Sequence, residues 1–404
     1  MVRSRFSTAL SLFLSLTPTL LGVLLLLFPV SLFGWNAFAA RFYPQARYTA
    51  SALIGVIPVS PAVPLSASSL WDRRFQQRAG DGFGAGLPIF PDVVRGRNQI
   101  FYSLFAMSLS PKVVVGRKSN LYEKNYIDEY CRRDLDHFVP EATAWAEKLR
   151  RIQDYYDHIG KTFLYVITPS KAATYPEWIP PAYGCPSTAA DRAGKMPAYR
   201  RILDRAGLRY VDTTALARQY RDAFRAPLFP RGGTHWGEIA VALGMQAIFK
   251  SLDGRLPGRG FAPFTFDVGY VDHPVTEEGD IEALLNLMAP DFHFPVGTVR
   301  LHLASPKGVC QPLEIAEVGG SFLTAVNRVF VQMPCPPKIR EFYYWRNLID
   351  YPDRQGRWMG PPDPALRRQD LTGKADIVIL EENEQMLPAS FQGEQLDAFI
   401  HDLR

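Results

Sequence analysis

The sequence lacks the closely spaced cysteine pairs that hold structural metals. Its four cysteines contain no C-x-x-C pair; they are Cys131, Cys185, Cys310 and Cys335. This spacing argues against a zinc or iron–sulfur site, and we expect neither a metal nor a cofactor. Two interpretations stay open for the cysteines, namely disulfides in an exported protein or buried free thiols, and the sequence does not choose between them.

The sequence also lacks concentrated charge. The net charge of +5 is spread along 404 residues, and no cluster of Lys and Arg is interleaved with aromatic residues. Nucleic acid is therefore not an expected partner. The hydrophobic share of 47% and the charged share of 21% are ordinary for a globular protein. The length suits one large domain or two medium ones.

Charge is absent altogether from the run Leu10–Phe33. About 20 apolar residues can cross a bilayer as a helix, and Arg3 and Arg5 before the run favour a cytoplasmic N-terminus. A cleavable signal peptide is the alternative, because residues 37–39 resemble a cleavage site, but the run is longer than a signal peptide's apolar stretch. We predict one membrane anchor within residues 1–40, with the rest of the chain exported.

The next stretch, residues 41–97, is predicted to be a connector. Several prolines between residues 58 and 64 precede a glycine-rich tract at 80–86. Proline and glycine at this density are poor material for regular structure. We predict that the main domain covers residues 98–404.

Short apolar segments alternate with helical patterns through that domain. The run at 162–168 is continuously apolar, β-branched and aromatic, which is typical of a buried parallel strand. The predicted strands are 112–116, 162–168, 208–212, 313–318, 329–333 and 376–380, and the predicted helices are 98–107, 141–158, 199–206, 236–252, 281–287 and 322–328. This alternation predicts an α/β fold with a mostly parallel central sheet, whose functional residues lie at the carboxyl ends of the strands.

Ser321 follows Gly319 and Gly320 between a predicted strand and a predicted helix. Glycine permits a sharp turn, so a serine there exposes its hydroxyl at a helix N-terminus, where free N–H groups can stabilise an oxyanion. The alternative is a plain helix N-cap, a position that serine favours.

His235 lies in the segment Gly-Gly-Thr-His-Trp at 232–236, directly before a predicted helix. An imidazole that accepts the serine proton would turn the Ser321 hydroxyl into a nucleophile. The alternative is a histidine that caps the helix and packs on Trp236.

The order of these two motifs resembles that of the alginate O-acetyltransferase family of the SGNH hydrolase superfamily. That family has an Asp-x-His-Trp motif first and a Gly-Asp-Ser-Phe-like motif later. Further similar segments are Val113–Tyr122, Val166–Ala172, Tyr175–Glu177, Asp212 and Ile379–Glu384. The resemblance covers roughly residues 98–400 and implies a three-layer sandwich. It also implies that Ser321 is the nucleophile and His235 the general base.

Two departures from the family pattern concern the site. The acid two residues before the histidine is replaced by Gly233, and the acid before the serine is replaced by Gly320. Loss of the acid that orients such a histidine costs on the order of 10⁴-fold in a serine protease. We predict Glu238 as a candidate substitute, since three residues on a helix separate it from His235, and a solvated helix residue is the other interpretation of Glu238. Asp280 and a backbone carbonyl are alternatives.

The resemblance also implies residues that bind substrate. Gly320, with the N–H of Ser321, would bind the oxyanion. Lys171 is predicted to face the cleft and hold an anionic sugar or donor, the alternative being a solvated loop lysine. Asn383 is predicted as a further oxyanion donor, the alternative being a role in a turn.

The resemblance implies an O-acetyltransferase that acts on an exported polysaccharide. The resemblance implies a multi-pass membrane acyltransferase as the partner that supplies acetyl groups. It also implies a single-pass protein of a bacterial inner membrane, with its catalytic domain in the periplasm. A carbohydrate acetyl esterase with the same Ser and His, and a non-catalytic polysaccharide-binding or assembly protein, remain alternatives.

Overall fold

The structure is a computed structural model that describes residues 22–23, 27–55, 64–274, 276–291, 293–304 and 309–403. Across these ranges, no helix combines the length and the apolar character that crossing a membrane requires. Most of the predicted anchor, residues 1–21 and 24–26, lies outside the described residues.

Strands and helices alternate along most of the chain. The strands are β1 Val113–Val115, β2 Leu121–Glu123, β3 Thr162–Thr168, β4 Tyr210–Asp212, β5 Thr265–Val271, β6 Val296–His302, β7 Glu314–Gly319, β8 Lys338–Tyr343, β9 Asn347–Asp350, β10 Arg357–Gly360 and β11 Ile377–Asn383. The first helix, α1, covers 27–42. The others are α2 Ala67–Trp71, α3 Arg74–Gly86, α4 Phe90–Phe105, α5 Lys124–Cys131, α6 Leu135–His158, α7 Lys171–Thr174, α8 Ala189–Arg205, α9 Thr213–Tyr220, α10 Glu238–Asp253, α11 Asp280–Leu284, α12 Leu323–Phe330, α13 Pro364–Arg368 and α14 Phe391–His401.

Seven strands form the central sheet, in the order β10-β9-β8-β7-β11-β3-β4. The pairs from β8 to β4 are parallel, and β9 and β10 extend the sheet with antiparallel pairs. The pairs β1–β2 and β5–β6 form small separate sheets. The prediction of an α/β fold with a mostly parallel sheet is therefore confirmed.

The sheet separates two hydrophobic cores, because successive side chains of a strand point to opposite faces. On β3, Phe163, Tyr165 and Ile167 join the core formed with α6, α8 and α14. Leu164 and Val166 join the core formed with α10 and α12. A strand that is apolar on both faces is expected where helices cover both sides of a sheet.

The chain divides into two compact units. One comprises the described residues up to Leu109 together with Ala283–Pro290, and the other comprises Ser110–Glu282 and Asp291–Arg404. The boundary predicted after residue 97 falls inside α4 and differs from this division. The central sheet and the candidate site belong to the second unit.

Two predictions of local structure are wrong. The connector contains α3 and α4, and α3 includes the glycine-rich tract. Each glycine lowers helix propensity by about 1 kcal/mol, which is a weak preference that tertiary context can override. The strand predicted at 329–333 is instead the end of α12, whose buried residues recur at helical spacing: Leu323, Val326, Val329 and Phe330.

All four cysteines form disulfides, Cys131–Cys185 and Cys310–Cys335. The sequence left open whether the cysteines are disulfide-bonded or free, and in the structure they are disulfide-bonded. The first bond joins the end of α5 to the segment that precedes α8.

Candidate active site

Ser321 lies at the carboxyl end of the central sheet. It follows β7 by two residues, and α12 begins two residues later. The N–H of Thr324 donates to the Ser321 carbonyl at 3.3 Å, so the serine leads into the first turn of the helix. The β7–α12 turn therefore presents the hydroxyl at the sheet edge, as the Gly-Gly-Ser pattern predicted.

His235 lies against this serine. The distance from His235 Nε2 to Ser321 Oγ is 2.7 Å. The other ring nitrogen, Nδ1, lies 2.7 Å from Asp280 Oδ2. Since the carboxylate only accepts hydrogen bonds, Nδ1 carries the proton and Nε2 is free to accept the serine O–H. Asp280, His235 and Ser321 thus form a continuous relay.

Asp280 is held rigidly by the backbone of the loop before His235. Its Oδ1 accepts from the N–H of Thr234 at 3.0 Å and from the N–H of Ile281 at 2.8 Å. The carbonyl of Gly232 in turn accepts from the N–H groups of Ile281 and Glu282, at 3.1 and 3.0 Å. The start of α11 is therefore fastened to the histidine loop, which brings an acid from 45 residues downstream to the imidazole.

Neither a protein-family model nor a curated protein matches this chain. Solved structures do resemble it. The O-acetyltransferase domain of Pseudomonas putida AlgJ is 17% identical, with 73% of this chain and 100% of that chain covered and a TM-score of 0.45. Pseudomonas aeruginosa AlgX is 16% identical, with 71% and 67% covered and a TM-score of 0.45. Bacillus cereus PatB1 is 10% identical, with 69% and 98% covered and a TM-score of 0.44.

Glu238 does not take the place predicted for it beside the imidazole. It is exposed at the start of α10, and its Oε2 accepts from the N–H of Val299 on β6 at 2.8 Å. Helical spacing from His235 does not apply, because α10 begins only at Glu238. Asp280, which the sequence offered as an alternative, lies against Nδ1 instead.

Lys171 is buried and does not face the cleft. Its Nζ donates to three carbonyls, those of Pro230 at 2.6 Å, Arg231 at 3.0 Å and Gly233 at 3.0 Å. These acceptors match the three donors of an ammonium group. Burial opposes the charge and lowers the pKa of Lys171 to about 7. The contacts with Pro230, Arg231 and Gly233 indicate that Lys171 positions the histidine loop, in place of the substrate contact predicted from the sequence.

Gly320 and Asn383 are also engaged within the protein. The N–H of Gly320 donates to Glu381 Oε2 at 2.9 Å, so it does not point towards substrate. The buried amide of Asn383 donates to the Thr168 hydroxyl at 3.2 Å and to the Pro169 carbonyl at 2.9 Å. Its Oδ1 accepts from the N–H of Gln385 at 3.0 Å, which is the turn role given as the alternative.

Buried carboxyl groups lie on the sheet below the serine, and the sequence analysis did not identify them. Glu317 on β7 is paired with Glu341 on the neighbouring strand β8. Glu381 lies on β11, the strand on the other side of β7. Burial raises the pKa of all three, well above the ordinary value for Glu317 and to about 8 for Glu341. Glu381 also accepts from the Thr168 hydroxyl. Glutamates inside otherwise apolar strands were the sequence signal that could have revealed them.

Among the described residues, no group of three or more His, Cys, Asp and Glu side chains is arranged to hold a metal ion. The chemistry that the described residues provide is a hydroxyl, a base and an oriented acid. This set is sufficient for nucleophilic acyl transfer through a serine ester.

Proposed function

We propose that this protein is an O-acetyltransferase that moves an acetyl group through an ester on Ser321 to hydroxyls of an exported polysaccharide. The observation that carries the proposal is the relay from Asp280 to His235 to Ser321, with both contacts at 2.7 Å. The relay supports acyl transfer in general. The choice of a transferase and of a polysaccharide acceptor rests on the resemblance of the motifs.

In the first half of the reaction, Ser321 Oγ attacks the acetyl carbonyl carbon while its proton passes to His235 Nε2. The carbonyl electron pair moves onto oxygen, and the N–H of Ser321 stabilises that oxyanion. The oxyanion collapses, the donor leaves with the proton from His235, and the acetyl group stays on Ser321. In the second half, His235 takes the proton of a sugar hydroxyl as the sugar oxygen attacks the ester carbon. The bond from Ser321 Oγ to that carbon then breaks, Oγ takes the proton from His235, and the acetyl group leaves on the sugar.

Asp280 supplies the acid that Gly233 does not. It keeps the imidazole proton on Nδ1 and stabilises the imidazolium that forms in both halves. The non-catalytic alternative rested on the missing acid, so the position of Asp280 weighs against it. The esterase alternative uses the same three residues, with water in place of the sugar.

The proposal includes a cellular location and a partner protein. Extracytoplasmic compartments favour disulfides, so the pairs Cys131–Cys185 and Cys310–Cys335 support export. The apolar run at 10–33 supports an inner-membrane anchor with a periplasmic domain. A membrane-bound acyltransferase would supply the acetyl group from the cytoplasmic side.

The test is turnover of an activated acetyl ester by the full chain, with and without an oligosaccharide acceptor. The wild type should acetylate the oligosaccharide, and Ser321→Ala should abolish ester turnover. Ser251→Ala on α10 is the matched control and should leave activity unchanged. Mass spectrometry after reaction with a serine-directed organophosphate should locate the label on Ser321.

The outcomes separate the alternatives. Release of acetate without acetylated oligosaccharide identifies an esterase. Equal activity of the wild type and Ser321→Ala, or a label on another residue, removes the catalytic proposal and favours a non-catalytic role.

A further inference from the structure

A tyrosine hydroxyl lies at the reacting atoms of the site. Tyr344 is in the turn between β8 and β9, and its hydroxyl lies 3.4 Å from Ser321 Oγ. The N–H of Ser321 also points at this hydroxyl, at 3.5 Å. Both contacts are longer than ordinary hydrogen bonds, as is common for catalytic contacts in sites without substrate.

The backbone that carries Tyr344 is unusual. The residues Tyr344 and Trp345 have φ values of 46° and 63°, and the N–H of Arg346 donates to the Tyr343 carbonyl at 3.0 Å. Two central residues with positive φ characterise a type I′ turn, where Asn-Gly is preferred. Bulky residues rarely adopt such values, and where they persist the surrounding structure enforces them.

Here the enforcing contacts are visible. The N–H of Tyr344 donates to the Gly319 carbonyl at 2.7 Å, which attaches the turn to the end of β7. The ring of Trp345 is buried and packs against Phe342, and Arg367 lies 4.3 Å from its centroid. The fold therefore holds an unfavourable turn in a conformation that brings the tyrosine to the serine.

Gly320 leaves the space that this arrangement needs. A Cβ atom on Gly320 would lie 2.8 Å from Cε1 and 2.9 Å from the hydroxyl of Tyr344. Because the N–H of Gly320 is already donated to Glu381, it does not serve as an oxyanion donor. The N–H of Ser321 and the hydroxyl of Tyr344 both lie beside Oγ and can donate. Burial raises the pKa of Tyr344, so its hydroxyl keeps its proton at neutral pH.

We propose that Tyr344 is a catalytic residue that donates its O–H to the oxyanion formed when Ser321 is acylated and deacylated. This inference rests on the proposed function. The acyl oxygen enters between the Ser321 N–H and the Tyr344 hydroxyl, and it replaces their weak mutual contact with two stronger bonds. The tyrosine keeps its proton throughout, while the serine proton passes to His235 and on to the leaving group. Stabilisation is confined to the charge that develops in the transition state.

The test is Tyr344→Phe, which keeps the ring against Gly320 and removes the hydroxyl. Loss of one oxyanion donor should lower kcat for an acetyl ester about 10²- to 10³-fold with little change in KM. Affinity for a trifluoromethyl ketone, which forms a tetrahedral oxyanion with the serine, should fall by a comparable factor. Tyr210→Phe at the start of β4 is the matched control. It also removes a tyrosine hydroxyl, one that donates to Asp204 on α8.

A packing role predicts a different pattern. If kcat of Tyr344→Phe stays within about threefold of the wild type, or kcat falls while affinity for the ketone is unchanged, the inference is wrong. Gly320→Ala gives an independent check, since its methyl group should displace the Tyr344 ring. Its loss of activity should not add to that of Tyr344→Phe in the double variant, whereas additive losses would contradict the inference.

Failure of this inference is distinct from failure of the proposed function. A wild type without ester turnover, or with turnover that survives Ser321→Ala, contradicts the proposed function. An active wild type, an inactive Ser321→Ala and a fully active Tyr344→Phe contradict only the role of Tyr344.

Discussion

The serine turn and the histidine loop meet at one hydrogen bond but are built in different ways. The turn at 318–322 is held by neighbouring parts of the sheet, since Gly320 donates to Glu381 on β11 and Gly319 accepts from the turn after β8. The loop at 230–237 is held by backbone bonds from the start of α11 and by two side chains from distant positions, Lys171 and Asp280. The serine turn thus rests on contacts with adjacent strands of the sheet, whereas the histidine loop relies on residues of α7 and α11.

This difference teaches where the site is vulnerable. A substitution beneath the serine acts on strands that many other hydrogen bonds keep in place. A substitution at Lys171 or Asp280 removes a contact that the loop cannot replace from its own sequence. Three predictions test the contrast.

The largest effect should follow the loss of the acid. Asp280→Asn should lower kcat on the order of 10⁴-fold, because the amide no longer fixes the imidazole tautomer or stabilises imidazolium. Steady-state kinetics with an acetyl ester measures it. Glu238→Gln is the matched control and should change kcat less than about threefold, because the ring nitrogens contact Asp280 and Ser321 and Glu238 accepts from Val299. Reversed effects of these two variants would assign the acid to Glu238.

A smaller effect should follow the loss of the buried lysine. Lys171→Met removes the one side-chain ammonium group that donates to three carbonyls of the loop. The loop should then shift and misplace His235, which should lower kcat about 10²-fold while serine labelling still locates Ser321. Lys161→Met also removes a lysine contact to a carbonyl, that of Gly373 at 3.0 Å, and should leave kcat unchanged. Equal kcat for both variants would show that the histidine loop holds its shape without Lys171.

The smallest effect on activity is expected beneath the serine, where the change should appear in stability. Glu341 has a pKa raised to about 8, so between roughly pH 4.5 and pH 8 this carboxyl holds its proton more often in the folded chain than in the unfolded chain, and its contribution to stability declines as pH rises. Glu341→Gln should flatten the dependence of the melting temperature on pH, since glutamine does not titrate. Glu147→Gln, on the exposed face of α6, should keep the wild-type dependence.

The fold was predictable because its strands carry a local signal. The strand at 162–168 matched β3 residue for residue, since burial on both faces requires a continuous apolar run. Element ends were less predictable. The helix expected from residue 141 begins at Leu135, because Asp134 caps it with its side chain and Pro140 lies within its first turns.

The candidate site was predictable in part. The turn of Ser321 and the loop of His235 have local patterns, and the structure brings these two residues together. The acid had no comparable local pattern. An imidazole needs a carboxylate within hydrogen-bond distance in the folded chain, and residues far apart in the sequence can supply it. Lys171, Asn383 and Gly320 were identified as important, but their partners are backbone and buried groups that only the folded chain defines.

The turn at Tyr344 and Trp345 has a consequence for engineering. The substitution Tyr344→Asn would suit the backbone at this turn far better than tyrosine does. A search for more thermostable variants would therefore favour it, and the gain in heat resistance would remove a group placed at the reacting atoms. At this hairpin, selection for thermal stability and selection for catalytic turnover favour different residues.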